Sequence, residues 1–279
     1  MTSQPSLPRT ASRRAVLVTG GGQRLGAAIC TAFAKAGWHV LCQYRRSRAQ
    51  AEALCAELCA QGFAAEAIEG ELGDEAGREA LVRRAAAGAA PLACVVNNAS
   101  AFEPDSARDF TADAALDQLR VNLIAPLSLT RWLDKLARQA VEEKGHSDDI
   151  DRSVIHILDQ KVFNLNPDYF SYTVSKLALE RAVALQAQAL APNLRVVGVA
   201  PGILFPSGPQ SGDNFARAAA ANLLRRPIDA ADVAASCLFL ASTRSITGTT
   251  LCVDNGQHLL PLERDIMFVV DDLLKASPP

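Results

Sequence analysis

Tyr172-Thr173-Val174-Ser175-Lys176 puts a phenol and an amine four residues apart in a segment that reads as helix, so both side chains share one face. A free phenol titrates at about 10, and a neighbouring ammonium lowers that value, which eases proton exchange near neutral pH. Such a pair also arises by chance. Its companions, in order along the chain, give it meaning: Asn97-Asn98-Ala99 at the end of an apolar run, Asn122 in the helical segment that follows, and Pro201-Gly202 after a later apolar run.

A second group of residues suits a phosphate. The run Ala15–Thr19 leads straight into Gly20-Gly21-Gly22-Gln23-Arg24-Leu25-Gly26, and a helical pattern follows. Glycines let the backbone turn tightly and approach a pyrophosphate, while the helix start offers free N–H groups and a partial positive charge. Arg24 stands where this kind of turn usually has its middle glycine. Its guanidinium can donate two hydrogen bonds to a pyrophosphate and turn its other edge to an electron-rich ligand stacked nearby.

A third group selects the cofactor. An NAD enzyme carries an acid at the end of its second strand, bonded to the adenosine ribose. Here the chain reads Gln43-Tyr44-Arg45-Arg46-Ser47, and the next acid is Glu52, inside the helix. Two arginines and a serine suit a 2′-phosphate that an acid would repel, so NADPH is the expected cofactor.

These groups need a scaffold that gathers distant loops at one edge. Short apolar runs, at Ala15–Thr19, His39–Gln43, Ala64–Ile68, Leu92–Asn97, Ser153–Asp159, Arg195–Val199 and Thr250–Val253, read as strands. Alanine-rich segments long enough for crossover helices lie between them: Leu25–Ala36, Ala49–Gln61, Glu75–Ala87, Leu116–Lys135 and Tyr172–Leu190. Repeated βα units predict a single α/β domain, over residues 14–258, whose doubly wound parallel sheet has about seven strands and helices on both faces. Residues 201–215 follow a strand at the ligand-binding edge and read as a mobile flap over the site. Glu142–Arg152 reads as a solvated helix end and loop. Beyond His258 one apolar, helix-like stretch, Ile266–Leu274, has no role legible in the pattern, and residues 259–279 read as a tail.

Composition sets the outer limits. With 279 residues, 49% hydrophobic, 21% charged and a net charge of −2, the chain is globular rather than disordered or fibrous. It shows no basic stripe for nucleic acid and no apolar run of the ~18 residues that a membrane span requires. Seven scattered cysteines read as reduced; Cys55 and Cys59 have no third ligand at metal spacing, so no metal is expected. The first 13 residues lack the apolar core of a secretory signal and read as a disordered tail, leaving the cytoplasm as the expected location.

Together the Asn-Asn-Ala turn, Asn122, the Tyr-x-x-x-Lys pair and Pro201-Gly202 resemble the short-chain dehydrogenase/reductase superfamily over nearly all of Ala15–Gly256. The resemblance implies that Tyr172 is the acid–base, that Lys176 holds the nicotinamide ribose and that Asn122 anchors a proton-relay water. It also implies cofactor contacts from Gly20, Gln23, Arg24, Leu25 and Gly26, from Asn98, Ala99 and Ser100, and from Pro201, Gly202 and Ile203. Thirteen residues before the tyrosine most of the superfamily has a serine that polarises a ketone; here stands Asp159. An ionised carboxylate accepts hydrogen bonds and repels a developing alkoxide, so it suits a substrate that offers N–H donors and needs protonation at nitrogen. A pterin is such a substrate.

The pattern resembles the pteridine reductase branch, which includes the bacterial dihydromonapterin and dihydrofolate reductases. Its marks are the T-G-x-x-x-Arg-x-Gly turn, Tyr44-Arg45-Arg46-Ser47 and the Asn-Ala-Ser-x-Phe match at Asn98–Phe102. The resemblance implies that Ser100 contacts cofactor and pterin, and that Phe102 stacks on the pterin opposite the nicotinamide; Arg24, Asp159 and Tyr172 complete the substrate side. Phe163 and Phe205 either line that side or pack ordinarily. Glu71 precedes Leu72 where the superfamily has an aspartate for the adenine, and Pro206 falls where many members have a flap threonine; both are departures. The resemblance further implies a homotetramer. Three functions compete: an NADPH-dependent pteridine reductase, a generic short-chain carbonyl reductase and a non-enzymatic NADP-binding sensor. Asp159 with Phe102 favours the first, and the intact Asn122, Tyr172 and Lys176 count against the third.

Overall fold

A computed structural model describes residues 14–144, 150–207 and 210–270. The expected N-terminal tail and the end of the apolar stretch beyond residue 270 lie outside the described residues. Seven strands, β1 (Ala15–Val18), β2 (His39–Tyr44), β3 (Ala65–Glu69), β4 (Leu92–Asn97), β5 (Arg152–Ile157), β6 (Leu194–Pro201) and β7 (Thr250–Val253), form one sheet in the order β3-β2-β1-β4-β5-β6-β7. Every pairing is parallel, with Val16 opposite Val40 on one side and Cys94 on the other, and Ile155 opposite Val197. This is the expected single-domain architecture.

The central strands are apolar throughout because the period of two feeds two cores. Val16, Val18, Val40 and Cys42 pack with Ile29 and Phe33 of α1 (Arg24–Lys35) and with Val233 and Leu240 of α8 (Ala230–Ser242). Leu17, Leu41, Val95 and Val154 point the other way, onto Leu81 of α3 (Glu75–Ala86) and Leu129, Trp132 and Leu133 of α5 (Ala125–Lys144). The remaining helices are α2 (Arg48–Ala60), α4 (Ala112–Leu119), α6 (Phe170–Leu190) and α7 (Gly212–Ala220). The strand order reverses between β1 and β4, so the loops leaving their carboxyl ends part and open a crevice there.

Three elements differ from the sequence expectation. The single helix expected over Leu116–Lys135 is α4, a π turn at Arg120–Ile124, and α5. Pro126 accounts for the break: it has no N–H for the Asn122 carbonyl four residues back, and the amide of Ala125 reaches instead to the carbonyl of Arg120. The flap region ends in α7, capped by Ser211, rather than continuing as loop to residue 215. Finally, residue 258 is no structural boundary. Leu262, Ile266 and Val270, spaced four apart, bury themselves against Ala218 of α7 and Ile203, so residues 259–270 belong to the domain.

Candidate active site

The carboxyl edge of the sheet carries a cavity of about 900 Å³, and its wall begins at the glycine turn. Gly20 adopts φ +61°, its amide donates to Gln43 Oε1 at 2.9 Å, and Gln43 Nε2 donates to the Gly70 carbonyl at 2.8 Å. Thr19 Oγ1 accepts the amides of Asn98 and Ala99, while Asn98 Nδ2 donates to the Thr19 carbonyl, so the loops after β1 and β4 are tied together. A Cβ on Gly26 would lie 2.2 Å from the Gly20 carbonyl oxygen, so only glycine lets α1 begin this close to the turn.

The helix starts identify which ends await a ligand. α3, α4, α7 and α8 are capped by the side chains of Asp74, Thr111, Ser211 and Asp229, none of which lines the cavity. α1, α2 and α6 begin at Gln23, Ser47 and Tyr169, which line the cavity and make no capping bond; the first amides of α6 go to Asp105 instead, which leaves α1 and α2. Free N–H groups at α1 above a glycine cradle suit a pyrophosphate. At α2, an uncapped Ser47 beside Arg45 and Arg46 suits a further phosphate; Arg46 has no ion-pair partner among the described residues. These residues fit a phosphorylated dinucleotide.

The sequence candidates converge on this cavity. Every cofactor-binding candidate except Glu71 lines it, as do the substrate-side candidates Arg24, Ser100, Phe102, Asp159, Tyr172 and Phe205. Glu71 is folded back on its own loop: its Oε1 accepts from the amides of Leu72 at 2.8 Å and Gly73 at 2.6 Å and lies 3.6 Å from Arg45. Among the cofactor candidates Glu71 alone therefore stands off the cavity wall. Phe163 does not line the cavity either; it is 44% exposed, with its ring 6.2 Å from that of His258, because the 3-10 turn at Gln160–Val162 carries it past the rim. Phe205 does line it, with the Arg24 guanidinium 5.8 Å above its ring. Ile203 also lines it, with its amide already given to Gln257 Oε1.

At the centre, the Tyr172 hydroxyl donates to Asp159 Oδ2 at 2.8 Å. Asp159 Oδ1 accepts the Lys161 amide at 2.8 Å, which caps the 3-10 turn and holds the carboxylate in place. Lys176 Nζ donates to the Ile157 carbonyl at 2.8 Å and stands 5.7 Å from the centre of the Tyr172 ring. Burial pushes the Asp159 carboxyl above its ordinary range, against the opposing Lys161 amide and charge. Burial lowers Lys176 to about 8, against the pull of Asp159. Tyr172 departs from the sequence expectation. Burial and then the Asp159 charge push its phenol well above 10, because Lys176 is spent on a backbone carbonyl while a carboxylate sits at the hydroxyl. The pair is therefore a phenol donating to a carboxylate of raised proton affinity.

Asn122 lies behind the wall rather than on it. Its Oδ1 accepts from the Ala101 amide and Ser100 Oγ, and its Nδ2 donates to the Ala101 carbonyl and Ser175 Oγ, so the side chain is saturated. The group that could hold a relay water is its backbone carbonyl, which Pro126 leaves without its i+4 donor. Sequence reasoning missed Tyr169, which stacks on Phe102 with ring centres 4.2 Å apart, while the Tyr172 ring meets Phe102 edge-on at 4.6 Å. It also missed Leu262, Asp265, Ile266 and Met267, all on the cavity wall. The spacing of Leu262, Ile266 and Val270 was the available signal for that segment; Tyr169 carried none.

Known proteins resemble the chain in sequence and fold. Residues 22–258 match the family described as enoyl-(acyl carrier protein) reductase. An uncharacterized oxidoreductase of Mycobacterium tuberculosis is 30% identical over 249 residues, 87% of this chain and 91% of that protein. A dihydromonapterin reductase of Citrobacter koseri is 24% identical over 250 residues, 88% of this chain and 96% of that protein. Among solved structures, FolM alternative dihydrofolate reductase 1 from Brucella canis, complexed with NADP, superimposes with a TM-score of 0.81 at 33% identity, covering 91% of this chain and 97% of that one. The Brucella suis counterpart, also with NADP, gives 0.80 at 33% identity over 90% and 97% of the two chains.

Proposed function

This chain belongs to the short-chain dehydrogenase/reductase family, in its pteridine reductase branch, and from that premise we propose that it is an NADPH-dependent oxidoreductase that reduces a pteridine or dihydropteridine C=N bond. The observation that carries this reading is the 2.8 Å hydrogen bond from Tyr172 to Asp159 where a carbonyl reductase needs a neutral donor. A carboxylate there opposes an alkoxide and serves a nitrogen that must gain a proton.

The cofactor, when bound, supplies the hydride to the ring carbon. Tyr172 gives its proton to the adjacent nitrogen; the Asp159 carboxylate, whose proton affinity burial has raised, then takes up a proton from solvent and passes it to the phenolate across the same hydrogen bond. Lys176 holds the ribose. Asn122 braces the loop that carries Ser100 and Phe102. Phe102, with one face on Tyr169, offers a flat surface to the pterin, and Ser100 and Arg24 contact substrate and cofactor together. Arg45, Arg46 and Ser47 favour NADPH over NADH. We assign the enzyme to the cytoplasm as a homotetramer; among the described residues no helix is long and apolar enough to cross a membrane.

Asp159→Ser tests the assignment. Serine retains a capping oxygen for the 3-10 turn but ends proton return to Tyr172. Pteridine turnover should fall by about 10²-fold or more, while turnover of a simple ketone is spared or improved. Pteridine turnover equal to the parent's would leave the carboxylate without a role and make the generic carbonyl reductase the better reading.

A further inference from the structure

Phe102 and Tyr172 stand on different elements, and the reaction needs both at one place. Phe102 belongs to the loop after β4 and offers a face to a flat ring, while Tyr172, in the first turn of α6, must reach one atom of that ring. A misplacement of about 1 Å between such groups can cost 10²-fold in rate. Two ties join the loop to the helix, one on each side of Phe102. On the near side Asn122 holds the Ala101 amide and carbonyl, each at 2.8 Å, and donates to Ser175 Oγ at 3.1 Å. On the far side stands Asp105. Its Oδ1 accepts the Ser171 amide at 2.9 Å, and its backbone carbonyl accepts the Phe170 amide at 3.2 Å.

The helix cannot make this tie for itself, because Tyr169 sits at φ +56° and gives no capping bond. Residues 101–105 are thus pinned to α6 at 170–171 and at 175, positions that bracket Tyr172. Between the pins Phe102 stacks on Tyr169 and meets the Tyr172 ring edge-on. Pro104, with its fixed φ, stiffens the link from Phe102 to Asp105. Asp105 itself does not line the cavity, so it acts only through what it holds. We propose that Asp105 is a positioning residue, setting the Phe102 ring so that a substrate stacked on it meets the Tyr172 hydroxyl; the inference rests on the pteridine reading. The length of the side chain makes the tie, and its charge does not. Asp105 Oδ2 is buried without a hydrogen-bond partner, so Oδ1 and the backbone carbonyl carry the whole contact. Asparagine keeps both of those acceptors. Glutamate keeps the charge but adds a methylene that pushes the loop away from α6.

Asp105→Glu and Asp105→Asn separate length from charge, with 7,8-dihydrobiopterin as the substrate probe and calorimetric titration with NADP⁺ as a measure independent of turnover. Asp105→Glu should lose about 10–100-fold in kcat, more than KM changes, because the ring platform and the proton donor fall out of register. Its NADP⁺ affinity should stay within about twofold of the parent's, since the turn after β1 and the starts of α1 and α2 lie outside the tie. Asp105→Asn should keep kcat within about threefold of the parent's. If Asp105→Glu fails to fold, Asp105→Ala, which deletes the side-chain bond, carries the same comparison. A glutamate variant as fast as the parent overturns the positioning role. So does an asparagine variant that loses tenfold or more, since position alone would then be insufficient. Either result leaves the pteridine assignment standing. A parent that reduces ketones but no dihydropterin overturns the pteridine reading and this role for Asp105 with it.

Discussion

Tyr172 and Lys176 were paired by their spacing, but their electrostatics follow from burial and from Asp159. In water an ammonium four residues away would ease loss of the phenolic proton. Inside the fold Lys176 donates to the Ile157 carbonyl, and a carboxylate occupies the hydroxyl. A neutral, donating phenol results, which suits proton delivery to a substrate nitrogen. Tyr172→Phe should therefore lose about 10²–10⁴-fold in turnover while still binding NADPH. The pH dependence has a definite sign. Rising pH makes the protonation of Asp159 that the return step needs rarer, and passing about 8 neutralises Lys176, so kcat/KM for a pteridine should fall on the alkaline side through both groups. Asp159→Asn should remove the contribution of Asp159 and leave that of Lys176, and a pH–rate profile of the two proteins checks it.

Helix ends and turns carry the cofactor chemistry. Four helices close their N-termini with the side chains of their own N-cap residues; of the three that begin at the cavity, α6 gives its first amides to Asp105, and α1 and α2 make no side-chain capping bond. Arg46, beside the open end of α2, has no protein partner among the described residues, whereas Arg45 lies 3.6 Å from Glu71. Arg46→Asp should thus move preference toward NADH, with a charge-assisted contact of roughly 1.5–3 kcal/mol lost from NADPH binding. Affinities for both cofactors measure it, and equal turnover with NADPH and NADH by the parent enzyme would contradict the phosphate assignment. The π turn shows how one residue reshapes an element: Pro126 withholds an N–H, and Asn122 is turned so that its side chain braces the Ser100 loop.

Over the whole molecule, the C-terminal segment completes the site. Lys161 and Asp265 form an ion pair with side chains 4% and 15% exposed, and Asp168 accepts from Arg264 and from the Asp265 amide. Removing one partner of a buried pair strands the other charge, so Asp265→Ala should cost about 3 kcal/mol. It should also raise KM for the pteridine more than for NADPH, because Leu262, Ile266 and Met267 line the cavity beside it. Thermal melts and steady-state kinetics test the two effects. Leu116 and Ile124, on α4 and the π turn, and Val174 and Leu185, on α6, are exposed, and we propose that these two helical stretches meet other subunits. Light scattering at micromolar concentration should return a tetramer, and a monomer would refute that assembly.

The strand–helix alternation, the glycine turn, the arginine pair and the Asp159–Tyr172–Lys176 set were legible in the sequence alone. Each is a local signal: apolar runs at a fixed period, a backbone position that admits only glycine, or charges a few residues apart. The positions of Glu71 and Phe163 were not legible because their side chains answer to loop geometry, the first bonded to two neighbouring amides and the second carried off the cavity wall by a 3-10 turn. Tyr169 reaches Phe102 because the loop after β4 and the start of α6 both lie at the cavity, and Asp265 reaches Lys161 from about 100 residues away in sequence. Contacts over that separation depend on how the elements pack, which no local pattern encodes. The same packing buries Asp159, Tyr172 and Lys176, and that burial sets their proton affinities. The sequence thus determined which groups could do chemistry, and the folded arrangement decided their protonation and which part of a substrate each one meets.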